Sequence, residues 1–226
     1  MSTYLALCQT VRRECRVPGS GPSSVSSQTG ILAKIVEWVA DADEEIQSMY
    51  ADWDFLWSQW SEGTIAGTSE YVKPSDFGTW DRESFYLDYT TANHKKLTEM
   101  KYKTWRANLR QGVKTNQKPS YFIILPSRNI KLESPPDAVY TLTADYWAKP
   151  TRMSTNSSES SIPAQFERAI IERAKMKYAS DQGAPAIMSE AQNAFLDWVD
   201  RLRAAELPGH DRDRMAEGEP LVVTPE

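Results

Sequence analysis

Apolar side chains recur every three or four residues in four stretches of this chain, and in between them they alternate with polar ones. Leu5, Cys8 and Val11 mark a short helix over residues 3–15, ended by the Gly, Pro and Ser residues of 17–28. Over 29–50, Leu32, Ile35, Val36, Val39, Ala42, Ile46 and Met49 keep a helical period. Glu37, Asp41, Asp43, Glu44 and Glu45 fill much of the remainder, which predicts an amphipathic helix. Thr29 is the expected N-cap, its hydroxyl accepting a free N–H of the first turn. After Asp54 the period falls to two, with Phe55, Trp57 and Gln59 alternating against Leu56, Ser58 and Trp60. Further strands are predicted at 64–72, 84–89, 120–125, 129–133 and 139–147, the last two joined by a Ser134-Pro135-Pro136-Asp137 turn. Residues 98–111 read as helix rather than strand. Beyond a Ser/Asn-rich connector at 151–161, Pro163 sits in the first turn of a helix carrying Phe166, Ile170 and Ala174. Gly183 and Pro185 separate it from a last helix with Met188, Ala191, Phe195, Trp198 and Leu202, which stops at Pro208-Gly209.

This order predicts an α+β fold: a helical bundle of N- and C-terminal helices with an inserted antiparallel β region and an extended C-terminal arm. The expected divisions are residues 1–54 (N-terminal helices), 55–150 (a β-rich region with a short basic helix), 151–206 (a helical hairpin packing on the N-terminal helices) and 207–226 (the arm). Residues 206–226 hold six acids, two bases and one small apolar cluster, Leu221-Val222-Val223. Such a segment cannot offset its own ordering entropy, so it is expected to order only on a partner, with the triplet as a β-prone anchor.

A chain of 226 residues with 40% hydrophobic content can bury a substantial core. Its 26 basic and 31 acidic residues give a net charge of -5, so any attraction to nucleic acid must be local. The longest apolar run, Tyr121 to Leu125, is far below the roughly 20 residues that cross a bilayer, and no membrane partner is expected. Gln9, Arg12, Arg13 and Glu14 interrupt the opening before any leader-like apolar run forms, which implies that the chain stays in the cytosol where it is made. Cys8 and Cys15 read as reduced, small hydrophobes.

Catalytic chemistry has little to stand on. His94 and His210 are the only histidines, one in a polar loop and one in the acidic tail. No phosphate-binding loop, dinucleotide fingerprint or zinc spacing occurs, and Asp52 and Asp54 read as corner-capping carboxylates. No enzyme activity, metal or cofactor is expected. The strongest local signal is electrostatic: Lys95, Lys96, Lys101, Lys103, Arg106, Arg110, Lys114 and Lys118 stand against the single acid Glu99, with Tyr102 and Trp105 interleaved. Lys101, Lys103, Arg106 and Arg110 are therefore candidates for facing DNA phosphates in a channel or an acidic neighbouring subunit, which the acids of 37–54 and of the C-terminal tail could supply. Against this stands the plain reading of a solvated charged face. Among the eight Trp residues, Trp57 and Trp60 fall on opposite faces of a regular strand and cannot both fill one core. Both are candidates for a partner-facing aromatic, beside the alternatives of core packing and a sugar-binding platform.

The first quarter of the chain, from Leu5, Leu7, Cys8 and Val11 through Val17-Pro18-Gly19-Ser20-Gly21-Pro22 and Ile35-Val36-Glu37-Trp38-Val39 to Asp52-Trp53-Asp54-Phe55-Leu56, resembles the opening of tailed-bacteriophage head-to-tail adaptor proteins, neck subunits distantly similar to tail tubular protein A. Later landmarks are a Phe55 to Tyr71 strand pair with Thr64-Ile65-Ala66-Gly67-Thr68 in its turn, the strand Val139 to Trp147 leading to Lys149-Pro150, and Ile162-Pro163-Ala164-Gln165-Phe166 opening a helix. The resemblance runs to about Pro208. It implies a virion structural protein assembled in the host cytoplasm and placed at the neck between capsid and tail. Its subunits would form a homo-oligomeric ring, usually a dodecamer. One side would bind the portal protein, the other tail or nozzle proteins, and genomic DNA would pass non-specifically through the lumen. Leu221, Val222 and Val223 would then belong to an arm on the portal or a neighbouring subunit. An aromatic-rich carbohydrate-binding or tail-accessory module of a phage particle is the alternative.

Overall fold

A computed structural model describes residues 1–90, 93–109 and 115–207. In chain order the elements are α1 (Tyr4–Glu14), α2 (Gly30–Gln47), β1 (Trp57–Gly63), β2 (Glu70–Tyr71), β3 (Phe77–Trp80), β4 (Tyr86–Thr90), β5 (Asn93–Lys96), β6 (Thr98–Glu99), α3 (Tyr102–Asn108), β7 (Tyr121–Ile124), β8 (Ile130–Leu132), β9 (Thr141–Ala148), α4 (Glu167–Gln182) and α5 (Pro185–Glu206). The fold is α+β. The described chain divides into two compact units, Trp57–Lys149 and the segments on either side of it.

The helical unit is built by the two apolar stripes that the sequence displays most clearly. α2 buries Ile35, Val36, Val39, Ala42 and Ile46, and packs against both α1 and α4. Each Ile or Val so buried contributes about 1.5–3 kcal/mol. α4 and α5 form an antiparallel hairpin: Gly183, at φ 62°, caps α4 in the left-handed region that glycine adopts freely, and Pro185 opens α5. Thr29 stands at the N-cap of α2 without the expected side-chain hydrogen bond, because Gly30 enters the helix at φ 59° and departs from the usual cap geometry. Thr3 makes such a bond instead, accepting from the Ala6 amide at 3.3 Å.

Three buried polar groups of this unit are joined in one network. Asp43, with no exposed surface, accepts hydrogen bonds from the Ser160 hydroxyl and from Gln47 Nε2 at 2.8 Å, and Gln47 Oε1 accepts the Thr151 amide at 3.1 Å. These three side chains fasten the returning chain at 150–160 to α2. Burial pushes the Asp43 carboxyl up to about 6, even though the bonds from Ser160 and Gln47 pull it down.

The β unit holds two sheets around one core. The first runs β1-β9-β4-β5, with β3 also on β9, and the second runs β2-β8-β7-β6. All pairings are antiparallel except β6 on β7. Phe85 and Phe122 stack with centroids 3.9 Å apart, and Trp60, Trp80, Leu87, Ile130, Leu132, Leu142 and Tyr146 surround them. The long β9 is the organising strand, with Leu142, Ala144 and Tyr146 buried in alternation.

Several pairings differ from those expected. The 57–63 strand does not fold back on 70–71; it pairs with β9, Trp57 opposite Trp147 and Gly63 opposite Thr141. The loop 64–68 follows the same partner, since the Thr64 amide donates to the Tyr140 carbonyl and Thr64 Oγ1 accepts the Tyr140 amide, both at 2.8 Å. Only Glu70–Tyr71 of the expected 64–72 strand is extended in a ladder. β8 and β9 lie in different sheets, so residues 134–137 carry the chain from one sheet to the other rather than closing a hairpin.

Candidate partner interface

The short basic helix α3 is held to the second sheet by its two ends of approach. The Thr98 amide donates to the Ser120 carbonyl at 3.1 Å and the Met100 amide to the Phe122 carbonyl at 2.8 Å, which fixes where the helix starts. None of the residues of α3 is buried. Its contact with the sheet is made by Tyr102 and Trp105, whose rings lie 5.8 Å apart, and Lys131 Nζ sits 5.5 Å from the Trp105 ring centroid.

Facing α3 is the β7–β8 hairpin loop. The Leu125 amide donates to Asn129 O and the Arg128 amide to Leu125 O, and Arg128 takes φ 70°. A cleft opens on each side of the helix, and Tyr102, Leu125 and Pro126 line both. The larger, about 480 Å³, is bordered by Lys101, Lys103, Arg82 and Arg128; the other, about 440 Å³, by Arg106 and Lys131. Glu99 and Glu70 are the carboxylates along them. Glu99 pairs with Arg82 at 3.3 Å, and Glu70 accepts from Asn129 Nδ2 at 3.3 Å.

Lys101, Lys103 and Arg106 are exposed, and among the described residues none of them has a carboxylate partner. Arg110 and Lys114 lie outside the described residues. Lys95 donates to Ser120 Oγ at 2.6 Å, and Lys118 Nζ lies 3.7 Å from the Tyr89 ring centroid. The helical unit behaves differently. Asp41 and Glu44 pair with Arg152 at 2.6 and 3.0 Å, and Glu45 with Arg173 and Lys177 at 2.7 and 2.6 Å. Glu14 and Glu172 share Arg168 and Lys175, which holds the Glu14 carboxyl below its ordinary range in spite of burial. The acids of α2, expected from sequence to be open to a neighbouring subunit, are thus largely engaged within their own chain.

The two candidate aromatics separate cleanly. Trp60 is 8% exposed and packs on Trp80 at 5.4 Å, so it belongs to the β core and not to a partner-facing surface of the chain. Trp57 is 50% exposed, the only one of the eight Trp residues in the exposed class. Alternation along the strand sets the two on opposite faces, and core volume decides which is inside. Sequence reasoning passed over the exposed loop tip of Ile65 and Val139, 63% and 74% exposed. Thr64 joins their two segments, and no periodicity signals such a pair.

His94 is exposed on β5 with its ring 5.7 Å from Tyr86, and His210 lies outside the described residues. Leu221, Val222 and Val223 also lie outside them. Among the described residues no group of three or more His, Cys, Asp or Glu is placed to hold a metal ion, and no helix is long and apolar enough to cross a membrane.

A search of the curated proteins found no match. The family model described as SU10 adaptor protein matches residues 2–223, which carries the likeness past Pro208 and through the Leu221-Val222-Val223 triplet. With nearly its whole length matched, the chain belongs to the SU10 adaptor protein family, structural adaptor proteins of bacteriophage particles.

Proposed function

We propose that this adaptor builds the head-to-tail junction of the virion. Its subunits form a ring, a dodecamer, beneath the portal protein. The opposite side receives tail or nozzle proteins, genomic DNA passes through the lumen, and the basic face of α3 is turned to the lumen or to the adjacent subunit. The observation that carries this reading is the contrast in charge pairing. In the helical unit acids of α2 and α4 pair with bases of their own chain, whereas among the described residues Lys101, Lys103 and Arg106 at α3 have no carboxylate partner, on a helix that buries no residue. A seven-residue helix of this kind gains little stability from its own chain, and a partner supplies the missing contacts. A carbohydrate-binding or tail-accessory module would need a platform of several open rings, and Trp57 is the single exposed Trp.

The test is electron cryo-microscopy of the purified protein mixed with its portal. Rings stacked coaxially on the portal are the expected particles. A protein that remains monomeric in the presence of portal and tail proteins counts against the proposal.

A further inference from the structure

We infer that the clefts flanking α3 receive residues 208–226 of a second copy of this chain, an assignment that rests on the ring reading and names the partner of its basic face. The clefts are lined by cations beside the apolar groups of Tyr102, Leu125 and Pro126, a chemistry suited to a peptide that carries carboxylates beside aliphatic side chains. The chain itself contains such a peptide. Asp211 and Asp213 alternate with Arg212 and Arg214 and offset each other, which leaves Glu217 and Glu219 uncompensated immediately before Pro220-Leu221-Val222-Val223.

Charge supply points the same way. Asp41, Glu44, Glu45, Glu14 and Glu172 are engaged within the helical unit and Asp43 is buried, whereas residues 208–226 carry five acids against two bases in sequence. Nineteen residues follow Leu207. Extended, they span up to about 60 Å, enough to leave one subunit for the next, and tethering in a ring raises the effective concentration of a modest contact into firm attachment. Duplex DNA fits these clefts less well. A phosphate backbone makes no use of the apolar lining, whereas Leu221, Val222 and Val223 can bury against it.

The experiment is zero-length carbodiimide cross-linking of an equal mixture of unlabelled and nitrogen-15-labelled full-length protein, assembled on the portal, with native mass spectrometry of the same sample. Amide links between Lys101 or Lys103 and Glu217 or Glu219 are expected, half of them joining an unlabelled to a labelled peptide. In parallel, Lys103→Glu with Arg106→Glu should weaken ring association about tenfold or more, and adding Glu217→Lys with Glu219→Lys should restore it. Links confined to a single isotope place the tail on its own chain and overturn the assignment, as do tail links to the portal alone. Loss of duplex binding in the double Glu variant without recovery on the charge swap assigns the clefts to DNA instead. Rings that form without tail links overturn this inference alone, whereas a protein that never forms rings removes the ring reading and this inference with it.

Discussion

Trp80 Nε1 donates a hydrogen bond of 2.9 Å to the main-chain carbonyl of Arg128, the one residue of the β7–β8 loop in left-handed backbone. The loop residues 126–128 follow the pattern of a turn closed by a left-handed residue, a place that glycine usually takes. An arginine there costs about 1–2 kcal/mol in backbone strain, which the buried indole helps to hold. Arg128→Gly should therefore raise the urea midpoint, by about 1 kcal/mol in stability. Trp80→Phe should lower it by about 1 kcal/mol for the lost bond, with a further loss from the smaller ring. Equal midpoints for Arg128→Gly and the parent chain would show that the loop is unstrained.

Asp43 gives the helical unit an opposite pH response to that of its surface carboxylates. Its folded-state pKa of about 6 lies above the ordinary 3.8, so the folded chain binds the extra proton between those values. The contribution is fully present below the unfolded pKa and is lost as pH rises through about 6, roughly 3 kcal/mol in all. Glu14 and Glu45, depressed by their basic partners against the effect of burial, act in the other sense and lose stability as pH falls. The difference between parent and Asp43→Asn isolates the first effect. Urea titrations from pH 4 to pH 7 should show the parent falling relative to the variant, and parallel curves would remove Asp43 as the cause.

Cys8 and Cys15 are both free and buried, and desolvation pushes each thiol up to about 12. At pH 8 the thiolate fraction is then about one ten-thousandth, and access is blocked as well. Alkylation of the native protein should be slow at both positions and should accelerate in step with unfolding. Rapid labelling of either one in the native state would contradict the packing of α1.

The helices were legible because their apolar period persists over enough turns to define a face. α2 and α5 are recovered within a few residues, while α3 emerges without any buried side at all. The sheets were less legible because pairing is non-local. Nothing near Trp57 announces that its strand partner is Trp147, and the competing hairpin with Tyr71 is excluded only by what Thr64 bonds. β3 was hidden because Gly78 breaks its alternation. A Cβ there would stand 2.7 Å from the Trp147 carbonyl oxygen, so glycine is required by the close approach of β9 at a register shift. β5, with Asn93, His94, Lys95 and Lys96 all exposed, carries no apolar signal. For the interface, the excess of bases was visible in composition. That they stay unpaired while the acids of α2 find partners 100 or more residues away was not, because ion pairing across elements leaves no local trace.

Ile35 and Val39 have no exposed surface, and Phe195 is 7% exposed with Arg173 5.7 Å from its ring. Ile35→Ala should cost about 2–5 kcal/mol, from lost transfer energy and the cavity left between α2 and its neighbours. Phe195→Ala should fall at a similar level, about 3–5 kcal/mol, by loosening α5 on α4. Thermal denaturation followed by circular dichroism measures both, and a shift too small to resolve for Ile35→Ala would mean that α2 is not at the centre of the helical core.

Replacing Lys101, Lys103 and Arg106 together by Ala tests the surface nature of α3 separately from its partner. These side chains are exposed and lack ion-pair partners among the described residues, so the fold loses no contact of weight and stability should stay within about 0.5 kcal/mol per position of the parent. Binding of free duplex DNA by the parent should be weak, indifferent to sequence and abolished by added salt, because a few exposed cations on a chain of net charge -5 offer little beyond counterion release. Each phosphate contact removed should lower the slope of log K against log salt by about 0.9. Assembly, in contrast, should suffer strongly in the same variant, since removing the cations deprives the interface of its steering and register. Tight, sequence-selective duplex binding that survives high salt would argue against the adaptor reading of this face. A triple variant that assembles as well as the parent would remove α3 from the subunit contact altogether.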